Sequence, residues 1–506
     1  MKECSIFMKK LIALSVILCI IFAVLISCGE SGGSDSSNDA QERTPDRGAE
    51  AENHEDSAGT ADDDLFDTNL PDADFNDYEF RILNIDQDSM WWAIVDFDSE
   101  EESGEAVNDA MYRRSRNMEE KYNFRIRETQ VSSSQVQNTI RLGTAAGSDD
   151  YDIAFPHISS FPALVAANAL IDLNTVPNLD LDKPWWNPHM REYLTMEKRL
   201  FTTTSDLVLT DNDNIVMLMY NTNLAQTLGL AGAADLYKMV DEGKWTFEVF
   251  DQLTKAAASD LNGNGIVDGD DDRFGVTLCG WFYQQMIVGF GEMVTKKDAN
   301  DLPVISIGTE RYMRAYETMV NFMFQREVVA REFTDSSRNT EYVFIEDRAL
   351  FCAQVLSCVR LYREMVSDFA MIPLCKLDES QDRYYTPVLG VTAVIVPITN
   401  SDLERTGHIL EALAAESRRT VRPAYFEVAI GMQYLRDEDS VRMLELMLNT
   451  QVWDIANQIY NWGGYGGGFD TQAGRGDTNV ASLIERFEER IVSAIEKTIE
   501  SFRDAN

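Results

Sequence analysis

The sequence predicts an α/β protein of two lobes, each a mostly parallel sheet flanked by helices, with hinge crossovers between them. Three observations carry this reading. Between Tyr78 and Phe155 the pattern alternates strand, helix, strand, helix, strand, the order of a parallel sheet with helices on its faces. The 506 residues are too many for one small core. Asp211-Asn212-Asp213-Asn214 then breaks the apolar pattern before a new strand starts at Ile215, where a first crossing between lobes is expected.

Ahead of these elements, Lys9 and Lys10 precede an apolar run from Leu11 to Ile26. That run is long enough to enter a bilayer and short for a permanent span. It closes on Leu25-Ile26-Ser27-Cys28. The small Ser27 lets a peptidase reach the backbone, and the Cys28 thiol is the atom that would take the acyl chains. The expectation is a signal peptide, Met1–Ser27, and a mature chain held by lipidated Cys28 on the extracytoplasmic face of the cell membrane. An uncleaved anchor with a chance cysteine is the alternative. Residues 28–75 are expected to form a disordered acidic tether. Between Gly29 and Asp74, 15 acids stand against Arg43 and Arg47, with few large apolar residues to bury. As a flexible coil it would reach on the order of 40 Å.

The folded body opens with an alternating strand at Tyr78–Leu83 and a loop holding Trp91 and Trp92. A helix over about Glu105–Tyr122 repeats Val107, Met111, Met118 and Tyr122 along one face. Phe124–Arg127 reads as a strand, Ser134–Ala146 as a helix and Tyr151–Phe155 as a short buried strand. Leu200–Thr204 and Asp206–Thr210 read as extended pieces and Ile215–Tyr220 as a strand. Thr246 is placed to cap a helix over Phe247–Ala258. Arg311–Val329 reads as one long helix whose Tyr312, Tyr316, Met319 and Met323 form a core stripe. Ala370–Leu374 and Val391–Val396 are expected strands and Leu403–Ser417 a helix. A glycine-rich loop, Trp462–Gly468, precedes a final amphipathic helix over about Asn479–Phe502.

A net charge of −41 argues against nucleic acid as a partner, because phosphates would be repelled. Cys279, Cys352, Cys358 and Cys375 fit no zinc spacing and have no histidine near them in sequence. They read as small buried residues, with a disulfide from Cys352 left open. No nucleophile elbow, phosphate loop, His-Glu-x-x-His or dinucleotide fingerprint occurs. In so acidic a chain, paired acids such as Asp211/Asp213 cannot nominate a glycosidase.

Two constellations carry chemistry. From Asp260 to Asp271, oxygen side chains at Asp260, Asn262, Asn264, Asp268 and Asp271 occupy loop positions 1, 3, 5, 9 and 12. Gly265 stands at 6, and the Ile266 carbonyl would supply position 7. Calcium needs six to eight hard oxygens around one point, and this spacing wraps them there. A structural calcium is expected, with Asp271 in place of the usual Glu weakening bidentate closure; a plain Asp/Asn/Gly turn is the alternative. The second constellation is aromatic. Trp91, Trp92, Trp185, Trp186, Trp281, Tyr283, Trp462 and Tyr465 sit near element ends, where rings can stack on sugar C–H faces. His157 follows the Tyr151–Phe155 strand, where open α/β sheets place ligand groups.

Several stretches in this order resemble bacterial extracellular solute-binding lipoproteins, the receptors of ABC importers, of the type often used for oligosaccharides. They are Cys28 with its tether, Asn108–Tyr112 leading to Glu119–Asn123, Tyr151–Phe155 followed by Ala169–Leu173, Tyr220–Leu224, and Trp245–Phe250 leading to Arg273–Val276. Glu346–Phe351 belongs with them, although Asp347 stands where glycine is common. The resemblance covers most of Tyr78–Asn461. It implies a periplasmic-binding-protein-like fold, with lobe one at about 76–210 plus 393–440 and lobe two at about 213–388 plus 441–506. The implied cleft regions hold Trp91, Trp92, His157, Asp211, Trp281, Tyr283 and Trp462. The implied function is solute capture by lobe closure and delivery to ABC permease subunits, as a monomer without turnover. A surface-anchored, calcium-containing polysaccharide-degrading enzyme is the first alternative, and a calcium-dependent adhesion protein the second.

Overall fold

A computed structural model describes residues 66–267, 271–331, 340–362, 365–431 and 438–505. The expected signal peptide, Cys28 and all but the end of the tether lie outside the described residues, as does Asp268. Among the described residues no helix is long and apolar enough to cross a membrane.

Lobe one is built on β1 (Tyr78–Ile85), α1 (Ala106–Tyr122), β2 (Phe124–Val131), α2 (Ser133–Ala146) and β3 (Ile153–Phe155). The sheet order is β2-β1-β3, with β1 parallel to both neighbours. β1 sits in the middle, so its residues from Ile82 to Ile85 are all buried. Asn123, in the left-handed region at φ 52°, ends α1 and turns the chain straight into β2. Isolated antiparallel bridges, Ala154 to Ile395 and Thr203 to Val394, carry the sheet outward. The expected Val391–Val396 strand is therefore extended chain held by single bridges. The lobe also holds α3 (Phe161–Ala166) and α4 (Pro188–Leu194).

The first crossing runs through a buried turn of helix, α5 (Thr210–Asp213), and the Asp206–Thr210 piece, expected as extended chain, is a turn leading into it. Lobe two follows with β4 (Val216–Asn221), α6 (Phe247–Ala257), β5 (Phe274–Leu278), α7 (Glu310–Met323), β6 (Val329–Arg331), β7 (Ala349–Val355) and β8 (Phe369–Ile372). The sheet order is β8-β4-β7-β5-β6. β5 is parallel to β6 and β7, but β4 is antiparallel to both β7 and β8. The crossing delivers the chain at the edge where β5 and β7 end, so β4 must run away from that edge. α7 stops at Met323, short of the expected Val329, because Val329–Arg331 pairs with Val276–Leu278 as a strand.

The chain returns to lobe one for α8 (Leu403–Arg419) and α9 (Val421–Gly431), and α9 packs on α1 and α8. α10 (Glu438–Leu448) packs on β8 in lobe two. The glycine-rich stretch is not a loop throughout, because Tyr465–Ala473 forms α11. Packing overrides the low helix propensity of glycine here. A Cβ at Gly466 would collide with the Asn457 side chain, and one at Gly468 with the Phe487 ring. α12 (Val480–Asp504) closes the chain. Cys352, Cys358 and Cys375 are buried as expected, and Cys375 is a thiol outside any disulfide.

Candidate functional site

The strand ends of the two lobes face each other, and Arg360 after β7 reaches the Trp91 carbonyl after β1. In lobe one, β1 and β3 are parallel, so the loop holding Trp91 and Trp92 and the residues after Phe155 leave the same sheet edge. In lobe two, β5 and β7 are parallel, so Trp281 and Arg360 follow strands that end on one edge. Open α/β sheets bind ligands outside the carboxyl ends of their strands. The hinge joins these edges. Ile215 bridges Val388, and the Leu389 N–H donates to the Asn214 carbonyl at 3.0 Å. The second crossing continues to Thr392, whose N–H donates to Thr210 Oγ1 at 3.1 Å.

Contacts across the crevice are specific. Arg360 donates to the Trp91 carbonyl at 2.9 Å. Asp213, at the hinge, accepts from the Ile94 N–H at 2.6 Å and from the Tyr425 hydroxyl at 2.7 Å. Both bonds favour its charged form, but burial outweighs them and pushes its pKa up to about 6. The turn Ile158–Ser160 packs against the helical turn Ile455–Ile459. The Phe161 and Tyr460 rings meet edge to face at 6.0 Å. Asp454 stands at the N-cap position of that lobe-two turn, and burial raises its pKa to about 7.

Of the residues singled out in the sequence, Trp91 is 60% exposed and packs edge to face on half-buried Trp92. His157 is half-buried, and its Nδ1 lies 2.7 Å from the Ser159 hydroxyl and 3.2 Å from the Ser159 backbone nitrogen. Gly390, at φ +29°, would place a Cβ 3.1 Å from the His157 Nε2, so the hinge backbone approaches the imidazole closely. Burial lowers the His157 pKa. Trp281 is half-buried. Tyr283 and Trp462 are buried within lobe two. Tyr283 donates to Asp470 at 2.6 Å and stacks on Phe469, while the Trp462 indole donates to Thr498 at 2.9 Å. Trp185 and Trp186 are buried in lobe one, with both indoles on Glu411 at 3.1 and 2.9 Å. Asp211 accepts from Thr204 and Asn187, both at 2.8 Å. Arg360, Asp213, Tyr425 and Tyr460 were not singled out. Only their converging on the hinge marks them, and that requires the fold.

In the Asp260–Asp271 loop, Asp260 accepts the N–H groups of Gly263 and Gly265 at 2.6 and 2.7 Å. Asn262 and Asn264 accept the N–H groups of Asn264 and Ile266 at 2.9 and 2.8 Å. Gly263 and Gly265 hold φ of 75° and 85°, which turns the chain around those oxygens. Asp271 is exposed, whereas Asp272 is buried and accepts the Leu261 N–H at 2.8 Å. Among the described residues no group of three or more His, Cys, Asp or Glu side chains is placed to hold a metal ion.

Two α/β lobes joined by paired crossings, with strand ends meeting at a crevice, define a two-lobed binding protein. The sequence profile of the bacterial extracellular solute-binding protein family matches residues 115–415, and the chain belongs to that family. Its place is therefore extracytoplasmic. Solved structures share the fold at low identity. The cyclic alpha-maltosyl-1,6-maltose binding protein from Arthrobacter globiformis aligns over 83% of this chain and 100% of its own, at TM-score 0.55 and 14% identity. The GacH receptor of Streptomyces glaucescens GLA.O, known in complex with acarbose, aligns over 85% and 98%, at 0.51 and 12%. UgpB from Mycobacterium tuberculosis, in complex with glycerophosphocholine, aligns over 79% and 98%, at 0.54 and 13%. A comparison with curated proteins finds no match.

Asp213 and Asp454 contribute to a pH dependence, as do Asp206 and Glu411, whose pKa values burial also raises to about 7. Asp213 and Asp454 have folded pKa values raised above the unfolded value, so the folded state binds the extra protons and stability rises as pH falls through about 7 to 6. The melting temperature is expected to be higher at about pH 6 than at about pH 8. Asp454→Asn and Asp213→Asn should each flatten that slope. Slopes equal to that of the parent in both variants would contradict the assignment.

Proposed function

We propose that the chain is a lipid-anchored receptor that captures a small solute in the interlobe crevice and delivers it to an ABC permease. The observation that carries this reading is the convergence of strand ends from both lobes on one hinge-backed crevice, inside a fold whose family binds extracellular solutes. Contacts made to both lobes favour the closed arrangement, and closure shifts only by the difference in affinity between states. The action is binding without turnover.

A carbohydrate is the favoured solute. Trp91 offers an exposed ring at the crevice rim beside half-buried Trp92, and Trp281 lies on the facing lobe edge. Aromatic faces with nearby carboxylates suit sugar rings. Two of the similar structures above are named for glucosidic ligands, while a third holds a phosphodiester, so the fold leaves the class open. The anchor reading rests on Leu25–Cys28 and the acidic tether. A lipid anchor holds the receptor at high effective concentration beside its permease. The calcium reading rests on the spacing of Asp260, Asn262 and Asn264, whose side-chain oxygens accept backbone N–H groups of their own loop. Asp268, Asp271 and the Ile266 carbonyl would complete the shell in a structural role.

Three outcomes are expected. In a thermal-shift screen of glycans with product analysis, at least one oligosaccharide should raise the melting temperature without being cleaved, and Trp91→Ala should weaken that hit about tenfold, near 1.4 kcal/mol. Released products would instead favour the polysaccharide-degrading enzyme. Cys28→Ala should move the protein from the membrane fraction to the medium or periplasm and abolish acyl labelling; unchanged fractionation would remove the anchor. A calcium chelator should lower the melting temperature, and Asp260→Ala should remove that sensitivity. No metal by elemental analysis and an unchanged melt would end the calcium reading.

A further inference from the structure

Arg360 reaches from lobe two to lobe one, and its bonds leave most of its donors unspent. It is half-buried in the turn Leu356–Tyr362 that follows β7. The Leu356 N–H donates to the Ile215 carbonyl at 3.1 Å, so this turn is tied to the hinge. Arg360 Nη2 donates to the Trp91 carbonyl at 2.9 Å. That acceptor is neutral, whereas a guanidinium offers five N–H donors in a planar fork.

The nearby acid does not take up the rest. Asp213 is close enough for the Arg360 charge to pull its pKa down against the effect of burial. It spends one oxygen on the Ile94 N–H at 2.6 Å and the other on the Tyr425 hydroxyl at 2.7 Å, rather than on Arg360. Beside the guanidinium the surface is apolar. Trp91 presents an exposed ring, and Leu361, next to Arg360 in the chain, is 41% exposed. The indole is held in place. Trp92 meets it edge to face at 5.8 Å, and Gln87 pins the loop by donating to the Met90 and Ala93 carbonyls at 2.9 and 2.7 Å.

A fixed cation beside an exposed aromatic face selects among solutes. Closing on a neutral sugar would further desolvate the guanidinium in return for hydroxyl acceptors alone, which is costly. A carboxylate or sulfate would accept two parallel N–H bonds and cancel the charge. In a chain of net charge −41 such a solute also needs a local cation to offset the repulsion of the body. Building on the receptor reading above, we propose that the solute is an acidic saccharide, its ring on Trp91 and its carboxylate or sulfate on Arg360. Arg360 is then the residue that sets preference for acidic over neutral glycans.

The test is calorimetric titration of the purified protein with matched oligosaccharides: oligogalacturonides against galacto-oligosaccharides, oligomannuronates against manno-oligosaccharides, and sulfated against unsulfated galactan oligomers. The first two pairs read a carboxylate and the third a sulfate. At least one acidic member should bind about tenfold or more tighter than its neutral partner, and added salt should weaken it. Arg360→Gln keeps an N–H donor for the Trp91 carbonyl. It should weaken the acidic ligand about tenfold more than the neutral one, and Arg360→Lys, which keeps the charge without the fork, should lose less. Melting curves of the unliganded variants check that they fold. Neutral members binding as tightly as every acidic partner would overturn the proposal and leave the receptor reading standing. An acidic preference unchanged in Arg360→Gln would also overturn it, because another residue then sets the preference. No saturable binding of any member, acidic or neutral, would bring down this proposal and the carbohydrate reading together.

Discussion

The fold depends on two chain crossings that are bonded to each other rather than merely adjacent. Asn214 accepts the Leu389 N–H at 3.0 Å and donates its side-chain amide to the Gly390 carbonyl at 3.1 Å. Thr210 and Thr392 meet hydroxyl to hydroxyl at 3.2 Å. Every residue from Phe201 to Asn221 is buried, so these bonds are made away from water and break at a real cost. The pair acts as a strap of fixed register. Whatever else moves, the ends of β1 and β3 must face the ends of β5 and β7.

That strap carries more acid than a hinge needs for stability. Asp206, Asp211 and Asp213 fall within eight residues, and all are buried. Buried ionisable groups seldom raise stability over a well-packed apolar replacement, because desolvation cancels the attraction. They specify geometry instead. Asp213 binds the lobe-one loop through Ile94 and α9 through Tyr425, so one carboxylate sets three segments relative to each other. Asp206 draws Arg418 and Arg422 from two successive helices onto one point. Satisfied polar networks of this kind fix a unique arrangement where apolar packing alone would tolerate slippage.

Much of this fold was legible because local periodicity and local caps agree. β1, α1, β2 and α2 fall within a few residues of the pattern that predicts them, and Asn123 and Gly147 stand in the left-handed region at the two helix ends. The misses share a cause, which is tertiary contact overruling propensity. Gly466–Gly468 is helical despite glycine's low propensity, and Asn457 and Phe487 leave no room for a side chain at Gly466 and Gly468. α7 stops early because β5 has an open edge for Val329–Arg331. The candidate site was less legible. An aromatic near an element end can be exposed, as Trp91 is, or fill a core, as Tyr283 and Trp462 do, and sequence spacing does not tell them apart. Arg360 and Tyr425 carry no local signal. They matter through partners 269 and 212 residues away.

The last helix adds a constraint on how the crevice opens. α12 has 25 residues, about 37 Å of rigid rod at 1.5 Å per residue. It is held in lobe two by Trp462 on Thr498 and by Phe487 against Tyr465. Its final turn lies on lobe one, where the Phe502 ring meets Phe201 at 5.1 Å and Phe161 at 6.3 Å, and Arg503 pairs with Glu197 at 2.6 Å. Phe161 also meets Tyr460, so the same aromatic group spans the lobe contact and the helix end. A rod fixed at both ends leaves two ways to open. The lobes can rotate about an axis through that last turn, or Phe502 can withdraw from lobe one. Withdrawal exposes a fully buried phenylalanine, costing about 1.5–3 kcal/mol. Opening by withdrawal is therefore disfavoured roughly ten- to 150-fold, whereas rotation about the last turn carries no such cost.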